Sequence, residues 1–160
     1  FYMRLARPSS EVIYSDENAE FAIGKGNLIS EGNDATIMSC GLMVQRSIEA
    51  ARVLIDKERI SCRVIDMFSI KPIDHDMIYN AAKQTGVIVT AEEHNVIGGL
   101  GSAVSESCSE QYPVLVRRIG VKDTFGESAR DDEIEELLVR YGLTSGEIVK
   151  AVVEARRASK

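Results

Sequence analysis

Apolar residues along this chain form short runs that alternate with segments in which they recur at helical spacing. The predicted strands are four segments, residues 35–41, 61–67, 87–91 and 114–120. The first and third are continuously apolar, which is typical of a parallel sheet. The order strand, helix, strand, helix predicts a mostly parallel sheet with helices on both faces. We therefore expect an α/β fold, a three-layer α/β/α sandwich.

Each predicted helix is marked by a stripe of apolar positions, by capping residues, or by both. Asp74 is the expected N-cap of the second helix and Gly86 its end, and Thr144 with Glu147 predicts a capping box before the last helix. Gly24 and Gly26 predict a hairpin within a short strand pair near residues 24–34. The stripes are Val44, Ile48, Ala51 and Ile55; Ile78, Ala81, Ala82 and Thr85; Ile134, Leu137, Leu138 and Tyr141; and Ile148, Ala151, Val152 and Ala155.

Residues 1–20 differ from the rest of the chain. FYMRLARP is typical of the end of a strand, and the polar residues up to Glu20 indicate a linker. Because Phe1 is not an initiator Met, we expect the chain to come from something longer. Arg4 and Arg7 could bind a phosphate through their planar guanidinium groups, although a surface ion pair is the commoner role of such arginines.

Composition narrows the class of protein. The chain has 160 residues, 44% apolar and 28% charged, as a globular domain does. A net charge of −6 disfavours a nucleic-acid surface, and the apolar runs are too short to cross a membrane, so we expect a cytoplasmic protein. Cys40, Cys62 and Cys108 show no CxxC or Cys/His spacing, which favours reduced, buried thiols over a disulfide or zinc site.

The segment 91–104, AEEHNVIGGLGSAV, follows a predicted buried strand and carries most of the candidate chemistry. Glu92 and His94 share a direction on an extended chain, where a carboxylate and an imidazole could act in acid–base catalysis. A metal site needs three or four converging ligands, so none is predicted. The alternative is that these polar groups hydrogen-bond the neighbouring loop or a partner subunit.

The glycines of the same segment allow two interpretations. Gly98, Gly99 and Gly101 could present backbone N–H groups to an anion at a helix start, although neither a dinucleotide fingerprint nor a P-loop is present. They could equally allow close packing between helix and sheet. By residues alone, no catalytic centre is complete.

Four segments in order together resemble the C-terminal domain of transketolases: YMRLARP (2–8), VIDMFSIKPID (64–74), AEEHNVIGGLGSAV (91–104), and VKDTFGES (121–128) with RYGLT (140–144). The resemblance implies a three-layer α/β/α fold with a small mixed, mainly parallel sheet. It also implies that residues 1–20 are the end of a preceding pyrimidine-binding domain plus a linker, and that residues 21–160 form the C-terminal domain. The compact IKPID segment is more similar to short or split transketolases.

The resemblance implies an enzyme that transfers a two-carbon ketol unit between sugar phosphates, in carbohydrate metabolism such as the pentose phosphate pathway. It implies thiamine diphosphate and a divalent cation (Mg) bound by domains that are absent here, either in the same chain or in a separate N-terminal subunit. The isolated chain is therefore expected to be inactive and to bind no cofactor alone. Its implied roles are stabilising a homodimer and offering a regulatory surface.

Site residues follow from the same resemblance. Arg7 matches an arginine that binds the substrate phosphate in the family. The possible regulatory or interface residues are Glu92, His94, Gly98, Gly99 and Gly101.

Three alternatives stay open. Deoxyxylulose-phosphate synthases are similar, but carry a phosphate-binding arginine where this chain has Phe68. The beta subunits of 2-oxo acid dehydrogenases share the fold and the glycine pattern, but the histidine of EEH is not expected in them. A non-enzymatic module that binds a small regulator at the edge formed by residues 92–101 is the third.

Overall fold

The computed structural model describes residues 2–6, 9–14, 20–127 and 130–159. Five strands form one sheet: β1 Asn27–Ser30, β2 Ala35–Ser39, β3 Cys62–Asp66, β4 Val87–Asn95 and β5 Leu115–Val121. The helices are α1 Met43–Val53, continued by a π-helical turn Leu54–Glu58, then α2 His75–Thr85, α3 Leu100–Gln111, α4 Ile134–Arg140 after a 3-10 turn Asp131–Glu133, and α5 Ser145–Ala158.

The sheet has the strand order β1-β3-β2-β4-β5, in which β3, β2, β4 and β5 run parallel and β1 is an antiparallel edge strand. One core fills the face covered by α1 and α5, and includes Ile37, Val64, Val89 and Ile148. A second core fills the opposite face under α2 and α3, and includes Ile65. The expected three-layer α/β/α sandwich with a small mixed, mainly parallel sheet is confirmed.

The helix ends follow the capping signals in the sequence. The Asp74 carboxylate accepts a hydrogen bond from Met77 N–H at 3.0 Å, as an N-cap does. Gly86 ends α2 in the left-handed region (φ 67°), and the Thr144 hydroxyl accepts from Glu147 N–H at 3.2 Å. The N-cap at Asp74 and the end at Gly86 are confirmed. Of the capping box predicted at Thr144 and Glu147, the described residues show the bond to the Thr144 hydroxyl but not the reciprocal bond to the Glu147 carboxylate.

The predicted hairpin near Gly24 and Gly26 is wrong. β1 pairs with β3, over 30 residues away in the chain, and not with β2. Gly26 packs against the side chain of Met67, where a Cβ would lie 2.7 Å from Sδ, and its N–H donates to Asp74. The glycines therefore allow the chain to approach β3 and α2 closely, which a local turn pattern does not distinguish from a hairpin.

Two further strand predictions need correction. Residues 2–6 are not in a strand, and no neighbouring strand among the described residues pairs with them. β4 does not end at Ala91 but continues to Asn95, because Asn95 pairs with Val121 of β5 after a register shift. The polar residues 92–95 thus belong to a strand, and the turn begins only after them.

Candidate functional site at the carboxyl edge of the sheet

The carboxyl ends of β2, β3 and β4 lie side by side at one edge of the sheet. The crossover after β2 leads to β3 on one side, and the next crossover leads over β2 to β4 on the other. Such a reversal leaves a crevice at the strand ends, which is where open α/β sheets bind ligands. At this edge β2 ends in Ser39 and β3 in Asp66, and β4 carries the buried Glu92 directly after Ala91.

Glu92 is the most completely bonded acid at this edge. Its side chain is 1% exposed. Oε2 accepts a hydrogen bond from Leu100 N–H at 2.7 Å, and Oε1 accepts from Gly101 N–H at 2.8 Å. Both donors belong to the first turn of α3, where free N–H groups and the helix dipole favour a negative charge. A carboxylate of the same chain therefore binds where an external anion was considered.

The glycines before α3 make room for this carboxylate. A Cβ on Gly99 would lie 2.0 Å from Oε2 of Glu92 and 2.9 Å from the carbonyl oxygen of Asn95. A Cβ on Gly101 would lie 2.8 Å from Thr90 Oγ1 and from the Arg118 side chain. Close packing between helix and sheet explains both residues, while Gly98 lies at φ 76° in the preceding turn.

The structure does not bring Glu92 and His94 together. His94 is exposed, and its Nδ1 lies 3.4 Å from the carbonyl oxygen of Asn95. Pairing between β4 and β5 shifts in register between Ala91 and Asn95, so simple alternation along β4 does not hold there. Gly120 of β5 lies against this irregularity, with its Cβ position 2.9 Å from the His94 carbonyl oxygen.

Asp66 is the second buried acid of this edge, and sequence reasoning missed it. It is 7% exposed, and Oδ2 accepts a hydrogen bond from the Tyr14 hydroxyl at 2.7 Å. Oδ1 has no hydrogen-bond partner among the described residues, and neither has Oγ of Ser39, its register neighbour on β2. An acid at the end of a predicted buried strand was the available signal.

Burial controls the acidity of the groups around Asp66. Desolvation raises the pKa of the Asp66 carboxyl, and the hydrogen bond from Tyr14 opposes this in part. Burial and the neighbouring Asp66 also raise the pKa of Tyr14. Burial, with Glu92 and Asp66 nearby, raises the pKa of the Cys40 thiol to about 12. All three cysteines are free, as expected, and Cys40 is a poor nucleophile.

Of the two arginines in the first segment, the structure describes Arg4 but not Arg7. Arg4 donates a hydrogen bond from Nη1 to the carbonyl oxygen of Glu93 at 2.6 Å, which places residues 2–6 beside the end of β4. Arg7 lies outside the described residues.

The family resemblance implies a divalent cation and a thiamine cofactor in the full enzyme. Among the described residues, no three or more His, Cys, Asp or Glu side chains are placed to hold a metal ion. They therefore do not fit a divalent cation, and no residue is assigned to a cofactor. No helix in the described part of the chain is long and apolar enough to cross a membrane.

Comparison with known proteins gives a consistent match. The family model "Transketolase, C-terminal domain" matches residues 24–153. The chain is 43% identical over 153 residues to the 6-deoxy-6-sulfo-D-fructose transketolase subunit SqwH of Clostridium sp. (strain MSTE9), covering 96% of this chain and 46% of that protein. It is 40% identical over 120 residues to 1-deoxy-D-xylulose-5-phosphate synthase 1 of Geobacter sulfurreducens, covering 74% of this chain and 19% of that protein.

Among solved structures, "Split gene transketolase, inactive beta4 tetramer" superimposes with a TM-score of 0.89 at 44% identity, covering 96% of this chain and 49% of that one. The chain spans about half the length of the transketolase-subunit relatives that it matches.

Proposed function

The chain belongs to the transketolase family, and from that premise we propose that it serves as the C-terminal domain of an enzyme that transfers a ketol unit between sugar phosphates. The enzyme would use thiamine diphosphate and Mg²⁺, both held by domains other than this one. Those domains would lie in the same chain or in a separate N-terminal subunit, and the whole would be a homodimer.

One observation carries the proposal. The match covers nearly all of this chain but only about half of the transketolase-subunit relatives, at 43% identity in one case. A chain that matches one half of such a subunit is expected to share its fold and its place in the assembly. It would not carry the whole reaction, because catalysis depends on groups placed together by several domains. Residues 1–20 would then be the connection to the preceding domain, and Arg7 in it would bind the substrate phosphate.

The role proposed for the domain itself is to support assembly and to offer a regulatory or interface surface. Glu92 supports this role indirectly, because it holds the start of α3 and so positions the exposed residues between β4 and α3. His94, Ile97 and Gly98 are exposed there. The N–H groups of Leu100 and Gly101 already donate to Glu92, so a regulator would contact the turn rather than those donors. Of the five residues considered, His94 and Gly98 would form the contact, and Glu92, Gly99 and Gly101 would support it.

The test is reconstitution. The natural polypeptide that contains this sequence is purified with, and without, the polypeptide that supplies the remaining transketolase domains, where that is separate. Ketol transfer from a ketose phosphate to an aldose phosphate is measured with thiamine diphosphate and Mg²⁺. We expect transfer only when all domains are present. A complete assembly that binds the cofactor but transfers no ketol unit would overturn the proposal.

A second candidate is the C-terminal domain of a deoxyxylulose-phosphate synthase, favoured by the 40% identity to one such enzyme. At the position where the resemblance implies a phosphate-binding arginine, Phe68 stacks edge-on against Phe21 with ring centroids 5.0 Å apart. This contact makes the position apolar and favours the transketolase. Pyruvate-dependent release of CO₂ by the same assembly, in the presence of an aldose phosphate, would reverse the preference.

A further inference from the structure

Residues 9–14 cross the amino end of α1 and reach the end of β3, and we name this segment the strap. We propose that the strap is a releasable device, held on the domain mainly by the hydrogen bond between Tyr14 and Asp66, and that breaking this bond frees the strap while the domain stays folded. The inference concerns this chain alone and does not depend on the proposed function.

Tyr14 is held by a hydrogen bond and by an aromatic contact. Its hydroxyl donates to Asp66 Oδ2 at 2.7 Å, and its half-buried ring meets Phe21 edge-on with centroids 5.0 Å apart. Phe21 in turn meets Phe68 at the same separation. Edge-on aromatic pairs and a hydrogen bond to a carboxylate each add specific stabilisation. This end of the strap is therefore a defined point of attachment.

The rest of the strap is held loosely. Ser9, Ser10 and Glu11 form one wall of a groove of about 380 Å³ beside the start of α1. Glu11, Val12 and Ile13 form one wall of a second groove of about 570 Å³ along the flank of α1. Val12 is 91% exposed, and the hydrogen bond from Glu11 N–H to Gln45 is long, at 3.5 Å. Apart from Tyr14, only Ile13 of the strap is half-buried and its other side chains are exposed, so the segment opens at low cost.

Burial of Asp66 in the closed arrangement is unfavourable, and this reduces the free energy needed to release the strap. With the strap closed, Asp66 is buried, and among the described residues neither its Oδ1 nor the neighbouring Ser39 hydroxyl has a hydrogen-bond partner. An incompletely bonded buried carboxylate is destabilising, because water would solvate it fully. When the strap leaves, water can reach Asp66, and this gain offsets part of the lost hydrogen bond. The free energy that favours the closed arrangement is therefore smaller than the hydrogen bond alone would supply.

Release of the strap would change how firmly residues 2–6 are attached to the edge of the sheet. Residues 2–6 are placed by the contact of Arg4 with the carbonyl oxygen of Glu93, at the other end of the crossing. Freeing the strap leaves that contact as the remaining described attachment, so the preceding segment would gain freedom relative to the sheet edge. The strap thus couples the Asp66 site to the position of the chain before it.

The experiment is hydrogen–deuterium exchange on the longest natural polypeptide that contains this sequence. Within the strap, the described amide with an acceptor is that of Glu11, which donates to Gln45. In Tyr14→Phe, which keeps the ring and removes the hydroxyl, we expect exchange of this amide to rise about tenfold, as loss of a hydrogen bond to a charged group allows. Exchange in β2, β3 and α1 should stay unchanged. Tyr112→Phe, which alters a tyrosine paired with Tyr79 far from the strap, is the matched control.

Two variants of Asp66 separate release from general damage. Asp66→Leu removes the acceptor and should free the strap as Tyr14→Phe does, whereas Asp66→Asn keeps an acceptor and should leave it protected. Unchanged exchange of the Glu11 amide in both Tyr14→Phe and Asp66→Leu would overturn the proposal. So would an equal rise in exchange throughout the sheet, because it would mean that the bond stabilises the whole domain.

Discussion

Two buried acids, Glu92 and Asp66, lie at the carboxyl edge of the sheet on the two strands that flank β2, and they are bonded in opposite ways. Each oxygen of Glu92 accepts a backbone N–H from α3. Asp66 accepts one hydrogen bond, from a side chain on the strap, and its other oxygen has no partner among the described residues. The first acid holds the domain together internally, and the second joins the domain to the segment before it.

The difference shows that burial alone does not reveal the role of an acid. A buried carboxylate whose oxygens are both bonded acts as a fixed part of the fold, since removing it leaves donors unpaired. Exposing a buried carboxylate that has an unbonded oxygen requires less free energy, because water then solvates that oxygen and offsets part of the lost hydrogen bonding. Three predictions test this contrast, beginning with the largest expected effect.

Replacing Glu92 by Ala should destabilise the domain most. The N–H groups of Leu100 and Gly101 would lose their acceptor in a buried place, and a loss of about 3 kcal/mol in the free energy of unfolding is expected for a capping carboxylate with two charged hydrogen bonds. Urea unfolding gives the value. Glu92→Gln, which keeps one acceptor oxygen, should lose less.

Glu93→Gln is the matched control for Glu92→Ala, because this side chain is only half-buried. A change within about 0.5 kcal/mol is expected for it. If Glu92→Ala were no more destabilising than Glu93→Gln, the distinction drawn between a structural acid and an attachment acid would be wrong.

Gly99→Ala should have the next largest effect. The new methyl group would lie on the Glu92 carboxylate and near the backbone oxygen of Asn95, so either the carboxylate or the turn must move. Overpacking of this kind costs about 1–3 kcal/mol. Gly126→Ala, where no described residue lies within 4 Å of the added Cβ, is the control and should be neutral. Thermal unfolding of both variants distinguishes the close contact from a general intolerance of alanine.

Asp66→Asn should have the smallest effect, and one of opposite sign. Burial raises the pKa of Asp66 above its ordinary value of 3.8, so the folded state binds the proton more tightly than the unfolded state. Wild-type stability from this group is full below the unfolded pKa and is lost as the pH rises through the folded pKa. Asparagine stays neutral, so Asp66→Asn should be more stable than wild type at pH 7.

The gain of Asp66→Asn should shrink as the pH falls through the raised pKa and approach zero below about 3.8. Unfolding free energies measured from pH 7 down to about pH 3 give this dependence. A variant less stable than wild type at pH 7, with a deficit that shrinks as the pH falls, would show that the fold favours the charged form of Asp66, as expected of a fully bonded acid like Glu92.

Much of the fold could be predicted from the sequence. The apolar runs 35–41 and 87–91 became the central strands β2 and β4, and the stripe of Ile148, Ala151, Val152 and Ala155 became the buried face of α5. Asp74 and Gly86 bound α2 as expected. These features depend on residues close in the chain, whose spacing fixes which face is apolar and where a helix must end.

Part of the site could not be predicted, because its partners are distant in the chain. The glycines at 98–101 indicated N–H groups for an anion, but only packing decides that the anion is Glu92 of the adjacent strand. The pairing of β1 with β3, the shifted end of β4 against β5, and the bond between Tyr14 and Asp66 join residues that no periodic pattern relates.

The sequence by itself determined the layers, most of the strands and the helix ends, because apolar spacing and capping act over a few residues. Tertiary structure alone decided which polar atoms at the carboxyl edge are bonded and which are not, since hydrogen bonds form only after strands from different parts of the chain are packed together. That decision gives Glu92 a role inside the domain, and it gives Asp66 a role at the strap.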